Sequence, residues 1–334
     1  MIKESKGVVL TEARQSSYGA LPLRELGDHD VLVKIHSAAI NPSDTLFLKG
    51  LYPAKKAFPT LAGFEGSGLI VQTGSSAEAS ALKDKRVAFF ASEFHELGSW
   101  GEYTVLNYQS VFPVPDSVTY EEAACALVNP LTVEGFIVTC QEKGHKAIVH
   151  SAAASSLGKM LVKACINHGI TLINIVRRQE QVDTLKNLGA AIVIDSSTPD
   201  FETQLKKAFE EHAPSAFFDA IGGKFGTTVF THLPPGSTAY CYGLLSGDPA
   251  YAVPASDLIF KGKTLTGWWL SGELKDPARA VKIVTGSFQN LAKGDYKSHI
   301  AKTFPHEKYQ EAIEFYSKNA SEGKVVLQNP SFSN

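Results

Sequence analysis

From residue 146 onward the chain alternates short apolar runs with segments of helical periodicity, and this rhythm constrains the fold more than any other feature. The strand candidates are "KAIVH" (146–150), "TLINIV" (171–176), "AAIVID" (190–195), "SAFFDAI" (215–221), "STAYCYGLL" (237–245) and "KTLTGWWL" (263–270). Between them, helices are expected near 156–168, 179–189, 200–212 and 224–232. Nearly continuous apolar strands joined by helices belong to a parallel sheet covered on both faces. Six of them match a full doubly wound sheet.

The chain before this region follows a different pattern. "DVLVKIHSAAI" alternates apolar and polar positions and runs into the turn-forming "NPSD". "GFEGSGLIVQTG", "KRVAFFA" and "GEYTVL" add short strands punctuated by glycine. Helical periodicity first appears in "SVTYEEAACALVNPLTVEGFIV". Near the end, "HEKYQEAIEFYSKN" reads as a helix and "GKVVLQN" as a strand that returns to the first domain. The expected organisation is a β-rich domain over 1–125 completed by 290–334, and an α/β domain over 126–289.

A chain of 334 residues can support two such cores. The formal net charge of −2 offers no general attraction for nucleic acid or an anionic membrane. No apolar run approaches the roughly 20 residues that span a bilayer. Cys125, Cys140, Cys165 and Cys241 are scattered without a CxxC spacing, which suits free thiols in a reducing compartment. The opening "MIKESKGVVL" lacks the basic and apolar regions of a secretory signal, so the expected location is the cytoplasm.

After the first apolar run of the α/β domain comes "SAAASSLGKML", where a dinucleotide-binding fold places its glycine-rich turn. Ala152, Ser155 and Gly158 stand in the glycine places. Gly158 keeps the role of close helix–strand packing, and the two smaller side chains permit close backbone approach provided that the turn avoids positive φ. Ala154, Ser155, Ser156, Leu157 and Gly158 open the helix whose N-terminus offers N–H groups to a phosphate, and the two serines add hydroxyls. A small-residue helix start is equally compatible with no ligand. The next strand ends in Arg177 and Arg178, about twenty residues beyond the turn, where an arginine accommodates the 2′-phosphate of NADP. The expected cofactor is NADPH, with either arginine as the phosphate contact; two solvated arginines at a helix start are the structural alternative.

In order and spacing, "AINPSD" (39–44), "GFEGSG" (63–68), "GSWGEYTVL" (98–106), "VNPLT" (128–132), the "AAASSLG" turn, "FDAIGG" (218–223) and "YGLLSG" (242–247) make the chain resemble a medium-chain dehydrogenase/reductase over nearly its whole length. The resemblance implies a GroES-like β-barrel catalytic domain joined to a Rossmann domain, with the active site in the cleft between them. It also implies a homodimer, since relatives commonly pair through Rossmann edge strands. The zinc alcohol dehydrogenases resemble the chain at 41–44 but carry a cysteine ligand where Asn41 stands and a histidine ligand where Phe64 stands. Their third ligand falls near Val128, and the cysteine-rich lobe of their structural zinc is missing. His95 has no visible partner ligands. A tetrahedral zinc needs about four N or S donors, so no metal is expected. The zinc-independent branch contains NADPH:quinone oxidoreductases and 2-enoyl thioester reductases, and "DLIFKGKTLTGWWLS" is similar to the latter.

Without a metal to stabilise an alkoxide, the expected substrate is a quinone or another conjugated carbonyl, with a trans-2-enoyl thioester as the alternative. Hydride addition then leaves charge on a conjugated oxygen that a few hydrogen-bond donors can hold, and an acid completes the reduction. By resemblance to the enoyl reductases, Tyr52 is the candidate acid, with loop packing as its structural alternative. Asn41 is the candidate partner of substrate or nicotinamide, or a turn residue before Pro42. Thr132 resembles a threonine of the nicotinamide pocket, or caps a helix. Tyr242 and Gly243 lie at a strand C-terminus, where such sheets bind ligands. Glu65 and Asp44 read as structural anchors. Trp268 and Trp269 supply apolar area for a substrate wall or a subunit interface. A non-catalytic NADPH-binding protein on the same scaffold, in a structural or regulatory role, is the reading from another class.

Overall fold

The computed structural model describes residues 2–12, 14–91, 96–248 and 250–332. His95 lies outside the described residues. The chain divides into two compact units, Met1–Asn129 with Lys297–Asn334, and Pro130–Tyr296.

In chain order, the first unit opens with β1 (Glu4–Leu10), β2 (Ser16–Pro22), β3 (Asp30–Ala39), α1 (Pro42–Leu48), β4 (Thr60–Leu61) and β5 (Glu65–Thr73). There follow α2 (Ala77–Ser80), β6 (Arg86–Phe90), β7 (Tyr103–Asn107), β8 (Val111–Pro113) and α3 (Tyr120–Ala123). The second unit takes most of α4 (Val128–Lys143), then β9 (Ala147–His150), α5 (Ser156–His168), β10 (Thr171–Val176), α6 (Gln179–Asn187), β11 (Ile192–Asp195), α7 (Phe201–His212) and β12 (Ala216–Asp219). It ends with α8 (Gly223–His232), β13 (Thr238–Cys241), α9 (Ala255–Ile259), β14 (Thr264–Gly267), α10 (Leu270–Glu273) and α11 (Pro277–Ala292). The chain then returns to the first unit as β15 (Ile300–Pro305), α12 (Tyr309–Asn319) and β16 (Lys324–Gln328).

The first unit holds a three-stranded sheet in the order β2-β1-β4 and a seven-stranded sheet in the order β15-β16-β3-β5-β6-β8, with β7 also on β3. The C-terminal strand does return: β16 pairs antiparallel with β3, Val326 opposite Ala39. Val8, Ile40, Trp100, Phe304, Val325 and Leu327 form one core here, and Val33, Ile35, Ile70, Val87 and Phe89 another.

All six strands of the second unit are parallel, in the order β11-β10-β9-β12-β13-β14, the doubly wound order. One face is filled by Val149, Ile173, Ile175, Phe217, Val229 and Ala239. The unit extends to Tyr296 because Glu134 on α4 accepts hydrogen bonds from the Asn290 amide at 3.1 Å and the Tyr296 hydroxyl at 2.8 Å. Several strand expectations shorten, "SAFFDAI" to Ala216–Asp219 and "AAIVID" to Ile192–Asp195 among them. β13 stops at Cys241, leaving Tyr242 one residue past the sheet, and β14 stops at Gly267. Trp268 is no substrate wall: it is buried, its indole N–H donates to the Thr139 hydroxyl at 3.2 Å, and a Cβ on Gly135 would collide with its ring. The helical stretch around 120–138 breaks between Ala123 and Val128. All four cysteines are free thiols.

Candidate active site

In the first unit the site is built where β3 runs out. Asn41 is the N-cap of α1, with extended φ and ψ, and Pro42 follows with a φ already suited to the helix. The Asn41 N–H donates to the Asp44 carboxylate at 2.7 Å. Its side-chain amide is 1% exposed and engaged at both ends: the nitrogen donates to Glu65 Oε1 at 2.8 Å, and the oxygen accepts from the Lys324 ammonium. Glu65, the first residue of β5, also accepts from the N–H groups of Leu127 at 3.2 Å and Val128 at 2.8 Å, and faces Lys324 at 3.4 Å. A buried carboxylate costs several kcal/mol unless paired. Glu65 is paired four ways, which makes it an anchor that ties β5 to β16, to Asn41 and to the start of α4. Asp44 is completely buried, and burial pushes its carboxyl up to about 7. The Asn41 N–H and Lys324 restrain that rise while the Glu65 charge adds to it.

Tyr52 follows α1 through Gly50, whose φ of +75° ends the helix just past its C-cap Lys49. Its ring packs against buried Phe64, centroids 4.9 Å apart, within a cluster that includes Leu10 and Phe47. The Lys56 ammonium lies 5.8 Å from the same Phe64 ring. Arg14 stacks over Phe58 at 4.6 Å and donates to the Phe47 carbonyl, fastening the Tyr52 segment to the turn after β1. Since Phe64 and Glu65 are consecutive, the two candidate catalytic residues attach to neighbouring positions of one strand entry: Tyr52 to Phe64, Asn41 to Glu65.

In the second unit the turn after β9 corrects one expectation. Ala152 takes φ +51°, so the turn does not avoid the left-handed region but places an alanine in it. The Ala153 N–H donates to the Ile175 carbonyl at 3.1 Å, bracing the turn against β10. Ser155 is the N-cap of α5, and its hydroxyl accepts from the Gly158 N–H at 3.1 Å. Part of its hydrogen-bonding capacity is therefore spent on the helix. Gly158 is intolerant for a reason other than helix–sheet spacing: a Cβ there would lie 2.1 Å from the Ala153 carbonyl oxygen, inside the turn itself. Ala154 and Leu157 are buried, while Ser155 and Ser156 are partly exposed. The first-turn N–H groups of Ser156 and Leu157 have no intrahelical acceptor by helix geometry. Arg177 and Arg178 are exposed just past β10, Arg178 as the N-cap of α6.

Thr132 is buried in the fifth position of α4, so it is not the helix cap. Phe136, one turn further on the same face, meets the Tyr242 ring edge-on at 4.9 Å. The Tyr242 and Gly243 N–H groups donate to the Asp219 carbonyl at 2.9 and 3.3 Å, and a Cβ on Gly243 would come within 2.6 Å of the Ala220 carbonyl. The structure thus holds Tyr242 and Gly243 at the C-terminal ends of β12 and β13, and Phe136, one turn from Thr132 on α4, packs on the Tyr242 ring.

Sequence reasoning did not single out three participants. Asp219 accepts from the Ser151 hydroxyl at 2.6 Å, from the Ile221 and Gly222 N–H groups at 2.9 and 3.0 Å, and from the Tyr251 hydroxyl. Its signal was present in "FDAIGG", an acid between a strand and two glycines of positive φ. His150 was legible only as the single polar residue of "AIVH". Lys324 gave no signal before its strand was paired.

Among the described residues no group of three or more His, Cys, Asp or Glu is placed to hold a metal. No described helix is long and apolar enough to cross a membrane.

Residues 27–116 match the alcohol dehydrogenase GroES-like domain family, and residues 156–285 the zinc-binding dehydrogenase family. The mitochondrial enoyl-(acyl-carrier-protein) reductase of Bos taurus is 29% identical over 315 residues, covering 92% of this chain and 83% of the relative. That of Xenopus tropicalis is 31% identical over 258 residues, covering 75% and 72%. A Mesorhizobium loti protein assigned as an NADPH:quinone reductase superposes with a TM-score of 0.86 at 31% identity, over 98% of this chain and 99% of its own.

Proposed function

The chain belongs to the zinc-independent branch of the medium-chain dehydrogenase/reductase family, and from that premise we propose an NADPH-dependent oxidoreductase that delivers hydride to a quinone or another conjugated carbonyl acceptor. The observation that carries this reading is the turn from Ser151 to Gly158. Its backbone is drawn in so closely that Gly158 has no room for a side chain, and it opens a helix at the C-terminal edge of a doubly wound sheet. Such a cradle fits a pyrophosphate. Arg177 and Arg178 supply the charge that suits a 2′-phosphate, and Thr132, Tyr242 and Gly243 line the nicotinamide end.

NADPH, when bound, supplies the hydride. The chain's residues orient it, exclude water and manage the proton. Tyr52 Oη is the acid that returns a proton to the reduced acceptor. Asn41 contributes an amide whose orientation is set on one side by Lys324 and on the other by Glu65. A trans-2-enoyl thioester is the second reading of the acceptor, favoured by relatives named as enoyl reductases at 29 and 31% identity. The protein acts in the cytoplasm as a homodimer; β14, which has a sheet neighbour on one side, supplies the edge for pairing.

The test is a panel of quinones, enals and enoyl thioesters with NADPH oxidation followed at saturating cofactor. Turnover of one class identifies the acceptor. Tight NADPH binding with no turnover of any acceptor would replace the enzyme with the non-catalytic binding protein. Arg178→Ala is expected to raise the Kd for NADPH about 10- to 30-fold, the loss of one charge-assisted contact, while NADH changes little. Equal losses for both cofactors would remove the 2′-phosphate role.

A further inference from the structure

His150 ends an otherwise apolar strand and is completely buried. Its ring stacks with that of Tyr242, centroids 6.0 Å apart and planes 11° from parallel, and Nε2 lies 2.8 Å from the Tyr242 hydroxyl. Its Nδ1 is buried with no hydrogen-bond partner among the described residues. Burial drives the imidazole pKa down to about 3, so the ring is neutral at working pH and carries one hydrogen. Placed on Nδ1, that hydrogen would be a buried donor with nothing to accept it. Placed on Nε2, it leaves only a bare lone pair at Nδ1, the milder breach.

The second arrangement fixes the polarity of the pair. Nε2–H donates, Tyr242 Oη accepts, and the phenolic hydrogen of Tyr242 is left for another acceptor. Burial, with a contribution from the Asp219 charge, raises the phenol pKa well above its usual value, so that hydrogen stays in place. Tyr242 lies one residue beyond β13 and is partly exposed, at the sheet edge where this fold binds ligands. Phe136 against the ring edge restricts its swing.

We propose that His150 is a positioning residue for the dinucleotide: by donating Nε2–H to Tyr242 Oη, it commits the Tyr242 O–H to an oxygen of bound NADPH. The inference rests on the NADPH role proposed above. His150 acts only through the tyrosine hydroxyl, and that sets the experiment. NADPH affinity is measured by fluorescence for the wild type, His150→Phe, Tyr242→Phe and the double variant. Each single variant is expected to weaken NADPH about 5-fold, the order of one hydrogen bond. The double variant is expected to bind no worse than either single one. His150→Gln, which keeps an N–H donor, is expected to recover part of the loss, and it replaces His150→Phe should that variant fold poorly. Independent losses that multiply in the double variant, or unchanged affinity in His150→Phe, would overturn the proposal. A wild type that binds no NADPH would overturn the underlying reading instead. Nitrogen NMR of the imidazole separates the two failures without cofactor, since the proposal requires a protonated Nε2 and a bare Nδ1 from pH 6 to 8.

Discussion

The two units hold their candidate residues in opposite ways. In the first unit, the side chains of Asn41, Glu65 and Lys324 hold one another in a buried charged cluster, and Asp44 joins it through the Asn41 N–H. In the second, the turn from Ser151 to Gly158 is shaped mainly by backbone: a left-handed alanine, a capping serine and a glycine with no room for a Cβ. A zinc dehydrogenase would bind its metal at positions 41 and 64, and here those positions carry an amide and a phenyl ring. The cation beside Asn41 is an internal ammonium, Lys324. The difference teaches where each set of residues is vulnerable. Loss of one charge in the cluster strands the others in low dielectric, whereas the turn tolerates changes that respect its backbone.

The sharpest way to break the comparison is Lys324→Met. It leaves Glu65 buried without its cation and is expected to cost about 3–5 kcal/mol of stability. The double variant Lys324→Met/Glu65→Gln should recover part of that loss in chemical denaturation, because no charge is then stranded. A single variant as stable as wild type would mean that the N–H groups of Leu127 and Val128 suffice for Glu65.

A pH series probes the same cluster with a smaller effect. The Asp44 carboxyl is raised in the folded state to about 7, so folding favours its protonated form. Its contribution is therefore full below the unfolded pKa near 4 and is lost as pH rises towards 7. Asp44→Asn keeps an oxygen for the Asn41 N–H but cannot ionise. It is expected to flatten the fall in stability between pH 5 and 8 and to gain about 2–4 kcal/mol on wild type at the upper end. Parallel wild-type and variant profiles of Tm against pH would rule that out.

The mildest change addresses the turn. Ala152→Gly removes the strain of a left-handed alanine, about 1 kcal/mol, and is partly offset by the freer unfolded chain. Thermal unfolding should shift by less than 1 kcal/mol in either direction with NADPH affinity unchanged. A loss of several kcal/mol would show that the methyl group is needed and that the turn depends on side-chain packing after all.

The same contrast explains what was legible in the sequence. Strand and helix positions from 147 to 270 follow from local apolar periodicity, and four helices fall close to their expected spans. The turn from Ser151 to Gly158 was legible as a turn because its demands are local: small residues, a cap and a glycine within eight positions. The left-handed Ala152 was not, because the residue type does not favour that φ and the bond that braces the turn, from the Ala153 N–H to the Ile175 carbonyl, reaches a separate strand. The cluster was only half legible. Asn41, Asp44 and Glu65 stood out in their motifs, but Lys324 lies 283 residues from Asn41 and joins it only when β16 pairs with β3. Trp268 misled for the same reason, since its partner Gly135 lies on a helix far away in sequence.

The most direct measurement of the central claim, metal-free hydride delivery from NADPH, uses one sample. The protein is dialysed exhaustively against a chelator, its metal content is determined, and the initial rate of NADPH oxidation is recorded with the best acceptor of the panel. The account predicts an undiminished rate with no stoichiometric zinc. A rate abolished by the chelator and restored by added zinc would contradict it.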